Sequence, residues 1–364
     1  MRQINLNKIF KILFYLIKII LLPFSGIYYL IIKIRNFLFD IKFFDIEKIN
    51  TKIISVGNIT VGGAGKTPTV IYIVNLLKAN GFNPGILSRG YKRKSSGYKY
   101  VFDGQKFLLP IEETGDEIQL AANATKAPAA VAEKRTIGAK LFVKDANIDS
   151  IVLDDAFQHR WINRNFDIVV LDQRFLNKKN SLEKFPLPSG IMRESFKSIQ
   201  RADCVILNRK FSDKTNLPQN YLQLLKTKPF FEAYYEAKSF VDIKTGEEFR
   251  LNDFVGQQSL VVCGIARPYS FLHCLEKNGI DFTNKLLFPD HKNYTRKEIH
   301  NIRKQFYATN AFSVLTTEKD AVKLFAFKKE LDDIDIYYLK IELKINKERE
   351  FKELILKSLT LMEV

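Results

Sequence analysis

The stretch "KIISVGNITVGGAGKTP", residues Lys52 to Pro68, decides the fold. Its first five residues are mostly apolar and β-branched, which predicts a short buried strand over Lys52–Val56. Three close-set glycines follow, and then Lys66 and Thr67 open a helical pattern that ends at Gly81. A glycine-rich turn between a strand and a helix, ending in Lys-Thr, is typical of a loop that binds phosphate groups.

The loop departs from the usual pattern G-x-x-x-x-G-K-[ST] at its first position, where Thr60 replaces glycine. Backbone N–H groups of such a loop converge on phosphate oxygens, and the helix N-terminus adds a partial positive charge. A flexible strand–helix turn is the alternative. We predict that the loop binds a nucleoside triphosphate with Mg²⁺, Lys66 reaching the terminal phosphates and Thr67 binding the metal. The predicted nucleotide-binding residues are Thr60, Val61, Gly62, Gly63, Ala64, Gly65, Lys66 and Thr67.

Short β-branched runs alternate with helical stretches through most of the chain. This alternation predicts an α/β fold, with a P-loop NTPase-like parallel sheet that has helices on both faces. A smaller C-terminal α/β domain and an N-terminal membrane-associated helix complete the predicted fold. The predicted division is a membrane-associated segment over 1–45, a P-loop domain over 46–212, linker strands over 213–250 and the C-terminal domain over 251–364.

The formal net charge of the 364-residue chain is +17, which indicates an anionic partner such as nucleic acid, an acidic membrane face or a phosphorylated substrate. The basic residues are spread along the chain and lack the aromatic-studded basic face of single-strand binders, which argues against nucleic acid. The cysteines, Cys204, Cys263 and Cys274, suit neither a zinc site nor a disulfide framework, so a reducing compartment is expected.

The N-terminus combines an apolar run with basic residues and has no acidic residue before Asp40. Its uncharged part, Ile19 to Ile32, is shorter than the ~20 residues of a spanning helix and contains a proline and a glycine. Lys8, Lys11 and Lys18 fall within one arc of a helix, a pattern typical of a helix that lies in a membrane interface. A membrane hairpin, a single-pass anchor and an ordinary core helix are alternatives.

Two strand-like runs end in acidic residues: "IVLDD" at Asp154 and Asp155, and "IVVLD" at Asp172. A carboxylate at the carboxyl end of a parallel strand is placed to organise Mg²⁺ beside a phosphate loop. Either run fits this role. The first is favoured because an amide, an imidazole and a guanidinium follow it within the next five residues.

Two further clusters lie in loops. "TGDE" opens a helix at Asp116, where a capping role is the local interpretation. "PSGIMRE" carries Arg193 and Glu194, and "FPDHKNYT" places Asp290 and His291 before a helix start. A histidine beside an aspartate in a loop is a candidate for catalysis.

Taken together, eight segments resemble the tetraacyldisaccharide 4'-kinase family, the lipid A 4'-kinases of Gram-negative bacteria. In chain order they are "SVGNITVGGAGKTP", "ILSRGY", "GDE", "VLDDAFQHR", "PSGIMRE", "ADCVILNR", "FPDHKNYT" and "LTTEKDAVK". Each is weak alone, but eight in family order over most of the chain are specific. The family's loop is itself atypical at the position of Thr60.

The resemblance implies a membrane-associated kinase that phosphorylates the 4'-hydroxyl of a tetraacylated glucosamine disaccharide 1-phosphate with MgATP. It implies Asp116 as the catalytic base with His291 as its partner, which replaces the capping interpretation. The implied metal ligands are Thr67, Asp154, Asp155 and Glu194, and the implied substrate or site-lining residues are Arg89, Tyr91, Gln158, His159 and Arg193. Lys292 departs from the second histidine expected after "DH" in many members.

The expected partners are MgATP and a lipid in an anionic leaflet, with no nucleic acid and no obligate protein partner. The expected location is the cytoplasmic face of the bacterial inner membrane, through the N-terminal helix. A P-loop GTPase or metal-insertion chaperone of similar fold is the alternative. The nearest match to a guanine-reading motif, "NRK" at Asn208–Lys210, lacks the required aspartate.

Overall fold

The structure, a computed structural model, describes residues 6–178, 182–290 and 292–360, with side chains from Leu13 onward. The helices are α1 Leu6–Ile20, α2 Leu22–Asp40, α3 Lys66–Ala79, α4 Ile111–Thr114, α5 Asp116–Thr125, α6 Arg135–Asp145, α7 Gln173–Asn177, α8 Gln219–Leu225, α9 Pro268–Lys277, α10 Arg296–Ala308, α11 Glu318–Leu324 and α12 Glu348–Thr360. The strands are β1 Lys52–Gly57, β2 Pro84–Ser88, β3 Lys99–Phe102, β4 Ala129–Val131, β5 Ser150–Asp154, β6 Phe166–Asp172, β7 Cys204–Asn208, β8 Phe230–Asp242, β9 Glu248–Phe249, β10 Ser259–Cys263, β11 Asn284–Leu287, β12 Ser313–Thr317 and β13 Ile336–Ile345.

The thirteen strands of the described residues form one mostly parallel sheet in the order β11-β10-β12-β13-β8-β7-β6-β1-β5-β2-β4-β3, with β9 beside β8. Only the β3–β4, β8–β9 and β8–β13 pairs of this sheet are antiparallel. The predicted α/β class and its parallel sheet are therefore confirmed. β1, which leads into the glycine loop, lies between β5 and β6.

Alternate residues of the central strands enter cores on opposite faces of the sheet, and this explains their continuous apolar runs. In β6, Ile168 and Val170 pack with α3, α5 and α12, whereas Val169 and Leu171 pack with α7 and α8. A third core lies under α6. The first half of the sheet, β1 to β7, is thus covered by helices on both faces.

Two antiparallel strands join this first half to the second half, β10 to β12. β8 pairs with β7 at its start and with β13 along most of its length, with Ala233 opposite Ile345 and Asp242 opposite Tyr337. The sequence predicts β8 only as an extended linker or hairpin. α12 lies in the predicted C-terminal domain, but its Phe351 packs in the core of the first half beside α3.

The N-terminal residues form two helices, with α2 starting beside Pro23 and inclined by 48° to α1. Many large apolar side chains of the two helices are exposed: Leu13, Phe14, Leu16, Ile17, Ile20, Phe24, Ile27, Leu30, Ile31, Ile34 and Phe37. By length and composition, no single helix in the described part of the chain would cross a membrane. α1 from Leu13 and α2 pass that test together as a bent pair.

Candidate active site

The glycine loop lies at the carboxyl end of β1 and is held by the segment that carries Arg193. The Val61 N–H donates to the Ile191 carbonyl at 2.7 Å, and the Arg193 N–H donates to the Ile59 carbonyl at 2.8 Å. Thr60, between these two bonds, forms an isolated antiparallel β-bridge with Met192. The side chain of Arg193 is thereby fixed at the edge of the loop.

Gly65 is required at the start of α3 by its backbone and by its neighbours. It has φ +98° as the N-cap residue, a left-handed conformation that favours glycine. A Cβ atom at Gly65 would collide with the Asn208 amide and the Tyr235 hydroxyl. The Asn208 amide also donates to the Ala64 carbonyl at 3.2 Å. The backbone of the loop therefore packs directly against the side chain of Asn208 at the end of β7.

Lys66 is paired with Asp155, the second acid of "IVLDD". The Lys66 ammonium lies 3.5 Å from the Asp155 carboxylate, and the Arg193 guanidinium lies 2.7 Å from the same oxygen. Burial would raise the pKa of Asp155, but the charges of Lys66 and Arg193 lower it overall. Asp155 has φ +53°, a sparsely populated conformation that is commonest at functional sites. A carboxylate and two cations thus converge beside the loop.

Asp154, the last residue of β5, is buried next to this group. Burial raises the pKa of its carboxyl to about 7, and the nearby Glu117 carboxylate adds to the rise. The Ser88 hydroxyl donates to one oxygen at 3.4 Å, while Oδ1 is buried without a hydrogen-bond partner in the described structure. A buried carboxylate oxygen of this kind fits a nearby cation.

Gln158 and His159 follow the two aspartates on the same turn. The Gln158 amide donates to the Asn58 carbonyl at 2.8 Å and its oxygen accepts from Arg193 at 3.4 Å. Burial, with several nearby arginines, lowers the pKa of His159 to about 4, so the imidazole is neutral at neutral pH. His159 also packs against Trp161, with ring centroids 5.4 Å apart. Gln158 therefore belongs to the Arg193 group, whereas His159 lies behind it.

Glu194 has partners other than those expected of a metal ligand. Its buried carboxylate accepts from Asn36 at 2.9 Å and pairs with Arg201 at 2.7 Å and Arg35 at 3.4 Å. Asn36 and Arg35 belong to α2, and the Tyr28 hydroxyl of the same helix donates to the Arg193 carbonyl at 3.0 Å. The structure thus turns Glu194 toward the N-terminal helix and away from the glycine loop.

Asp116 is the first residue of α5, directly after the N-cap residue Gly115. Its carboxylate lies 3.1 Å from the Lys323 ammonium and 3.9 Å from the Lys319 ammonium, both on α11. Lys319 also contacts Asp290 of the second half at 3.9 Å. His291, its predicted catalytic partner, lies outside the described residues.

A cleft of about 1470 Å³ lies between the glycine loop and Lys319 of α11. The glycine loop, Asp155 and Arg193 form one wall, and residues of the second half, including Asp290 and Lys319, form the other. Tyr91 lines the cleft and is exposed, while Arg89 is exposed two residues before it. The residues that line this cleft do not include Arg89, Asp116, Asp154, Gln158, His159 or Glu194. In the described residues, no three His, Cys, Asp or Glu side chains form a ready-made metal site.

Sequence reasoning missed several polar contacts of the loop. Lys210, just after β7, donates to the Gly63 carbonyl and pairs with Asp172 at 2.9 Å. Asp172 also pairs with Arg267 of the second half and caps α7. The signal for Asn208 was available, since an amide ends the apolar strand "CVILN" at the same sheet edge as the two aspartates. Arg267 offers no comparable local signal.

Comparison with known proteins points to a single family. The family model described as tetraacyldisaccharide-1-P 4'-kinase (LpxK) matches residues 17–360. The tetraacyldisaccharide 4'-kinase of Desulfotalea psychrophila is 34% identical over 342 residues, covering 92% of this chain and 95% of the relative. That of Chlorobium phaeobacteroides is 36% identical over 335 residues, covering 89% and 92%.

A solved structure agrees with these sequence relatives. The crystal structure of LpxK from Aquifex aeolicus in complex with ATP is similar with a TM-score of 0.77 and 30% identity. The likeness covers 94% of this chain and 99% of the Aquifex chain.

Proposed function

This chain belongs to the tetraacyldisaccharide-1-P 4'-kinase family, and on that premise we propose how its cleft performs the reaction. The enzyme transfers the terminal phosphoryl group of ATP to the 4'-hydroxyl of a tetraacylated glucosamine disaccharide 1-phosphate. The product is the bis-phosphorylated precursor of lipid A. The observation that carries the proposal is the single cleft in which a glycine loop ending in Lys66 faces acidic side chains.

The glycine loop is the proposed phosphate site. Gly62, with φ +107°, and Gly65 let the turn expose backbone N–H groups, and α3 starts directly behind them. Lys66 and Arg193 would neutralise the charge that spreads over the phosphate oxygens in the transition state. Both cations also pair with Asp155, which holds them beside the loop.

A magnesium ion bound with ATP would supply positive charge that stabilises the phosphate groups. Mg²⁺ in nucleotide sites takes one or two carboxylates together with phosphates and water. Asp155 and the orphaned oxygen of Asp154, with the Thr67 hydroxyl at the helix start, fit that description. Glu194 remains a proposed ligand only if its contacts with α2 change when MgATP binds.

Asp116 is the proposed general base, with His291 as its partner. A sugar hydroxyl is a weak nucleophile, so a carboxylate within hydrogen-bond reach helps by accepting its proton as the bond to phosphorus forms. Asp116 lies on α5, which packs on the first half of the sheet, and His291 follows Asp290 of the second half. Closure of the cleft would therefore assemble the base and exclude water from the transferable phosphoryl group.

The N-terminal helices are the proposed membrane attachment. Their exposed Leu, Ile and Phe side chains form an apolar surface, and basic residues of the same segment would favour an anionic leaflet. The polar side of α2, including Tyr28 and Asn36, contacts the segment of Arg193. The enzyme would accordingly work at the cytoplasmic face of the inner membrane, with its cleft close to the lipid.

The decisive experiment incubates the protein with γ-labelled ATP, Mg²⁺ and a lipid A precursor that lacks the 4'-phosphate. Transfer of label to the lipid 4'-position is expected, and GTP should serve less well than ATP. A matched reaction with the 4'-phosphorylated lipid should give no label. Nucleotide hydrolysis without transfer, with a preference for GTP, would instead support a GTPase.

A further inference from the structure

The motif "LTTEKDAVK" forms the end of β12 and most of α11, and it places two lysines at the predicted base. Lys319 and Lys323 are four residues apart on α11 and therefore lie on one face of that helix. Resting on the proposed function, we propose that these two lysines position the carboxylate of Asp116 and make its placement depend on the docking of α11 against α5.

Lys323 and Asp116 form a buried ion pair, although the Lys323 ammonium makes no hydrogen bond in the described structure. Their charged atoms are 3.1 Å apart, and only 7% of Lys323 and 8% of Asp116 is exposed to solvent. A lysine is rarely buried to this degree without a charged partner. Because a buried cation without its partner is strongly unfavourable, the ammonium and the carboxylate hold each other at this location.

Lys319 extends the contact to other acids of the cleft. Its ammonium lies 3.3 Å from Glu117, 3.9 Å from Asp116 and 3.9 Å from Asp290. Asp116 and Glu117 come from the first half of the sheet and Asp290 from the second. One cation thus connects carboxylates on the two walls of the cleft.

α11 is fixed rigidly to the second half, so the positions of its lysines depend on the position of that half. The buried Asp320 carboxylate accepts from the Gly264 N–H at 2.8 Å, the Thr317 hydroxyl at 2.7 Å and the Tyr294 hydroxyl at 3.2 Å. These bonds tie α11 to β10, β12 and the loop that follows Asp290. The lysines reach Asp116 only when the second half is in place beside α5.

The placement has a direct consequence for catalysis. A base must be correctly oriented when the hydroxyl attacks, and the Lys323 ammonium 3.1 Å from the carboxylate fixes that orientation. Neither lysine lies within the glycine loop. Loss of Lys323 should therefore lower kcat while leaving the KM for ATP almost unchanged.

The test compares Lys323→Met and Lys323→Arg in the full chain, with the 4'-kinase assay described above. We expect Lys323→Met to lower kcat by at least about tenfold with a KM for ATP within about twofold of the wild type. Lys323→Arg keeps the charge and should recover part of the loss. Lys277→Met is the matched control, because it removes an exposed ion pair with Asp213, 2.7 Å long, that α9 makes elsewhere.

An Asp116→Asn background separates positioning from a general loss of structure. If Lys323 acts through Asp116, then Lys323→Met should cost little further activity in that background. Thermal unfolding of each variant checks that the chain is folded, and Lys319→Met gives the same comparison at the less buried lysine.

Three results would overturn the inference: unchanged kcat in Lys323→Met and Lys319→Met, a higher KM for ATP at constant kcat, or the full loss repeated in the Asp116→Asn background. A wild-type protein that transfers no phosphoryl group to the lipid would instead overturn the proposed function itself.

Discussion

An alanine at position 65 would put a methyl group where the Asn208 amide and the Tyr235 hydroxyl already lie, on a backbone with φ +98°. We expect Gly65→Ala to lower the free energy of unfolding by about 1–3 kcal/mol, because the cost of a left-handed backbone adds to the cost of displacing the two side chains. Chemical denaturation measures the change. Gly63→Ala is the control, since open space surrounds Gly63, and equal destabilisation of the two variants would contradict the expectation.

The Lys66 side chain supplies the mobile cation of the loop, so its removal should affect turnover more than any other change there. We expect Lys66→Ala to reduce kcat by about 10²-fold or more, the effect of losing one strong electrostatic contact in a transition state. Lys78→Ala is the control on the same helix, because that ammonium only donates to the Thr125 carbonyl. Near-wild-type turnover in Lys66→Ala would refute the assignment of the phosphate loop.

Asp116 and His291 should act as one unit. We expect Asp116→Ala to lower kcat strongly with little change in the KM for ATP, and His291→Ala to be impaired as well. The double variant should lose much less than the two single losses combined, and fully additive losses would argue against the unit. Asp116→Ala also leaves Lys323 buried without its carboxylate. Thermal unfolding should be measured beside the rates, because a stability defect with intact turnover would mark Asp116 as structural.

Among the elements, strands with continuous apolar runs were predictable and the connections between them were not. β1 is predicted over Lys52–Val56 and observed over Lys52–Gly57, because a strand buried on both faces needs only local composition. The sequence predicts neither β3 nor α6, since neither has clear periodicity. The alternating pattern of β8 predicts only a linker or hairpin, because it does not show that the partner strand, β13, lies about a hundred residues later.

The same distinction holds for the site. Residues of the glycine loop are recognisable because their chemistry lies in consecutive positions. The place of Glu194 against α2 and that of Lys323 against Asp116 depend on packing between distant elements, which no single segment encodes. The resemblance implies roles for these residues, but not the contacts with α2 and α11 that hold Glu194 and Asp116 in place.

At the level of one element, we expect the contact between α2 and Glu194 to contribute to the stability of the protein. Arg35→Met removes one of the cations that compensate this buried carboxylate, so the free energy of unfolding should fall by about 1–3 kcal/mol. Lys33→Met, on an exposed position of the same helix, is the control and should change stability little. If the two variants unfold alike, the Arg35–Glu194 pair contributes nothing measurable.

For the whole molecule, a chain that begins at Asp45 should lose most of its binding to anionic liposomes and keep a folded core that binds ATP. The deleted segment supplies the apolar surface and several basic residues, each worth about 1 kcal/mol near an anionic surface. Activity should fall mainly toward lipid in bilayers and less toward lipid in detergent. The deletion also removes Arg35 and Asn36, so Glu194→Gln should raise the stability of the shortened chain.

Sedimentation with liposomes provides the measurement, and salt discriminates between modes of attachment. High salt should weaken binding of the full chain only partly, because the apolar surface persists. If the shortened chain sediments as well as the full chain, the attachment lies elsewhere. Resistance of the full chain to salt and to alkaline carbonate would mean that the N-terminal helices span the bilayer.

The pairing of β8 with β13 makes the second half an insertion in a hairpin. The chain leaves β8 at Asp242 and returns along β13 opposite the same residue, at Tyr337, before α12 packs on the first half. A short Asn-Gly turn between these two positions would close the hairpin without the intervening residues. We expect such an excised chain to keep the glycine loop and to lack Lys319 and Lys323. Such a chain should bind nucleotide at the glycine loop without transferring phosphate to lipid, because the cleft would lack the wall that carries Asp290 and Lys319; retained transfer in the labelled-ATP assay would contradict this.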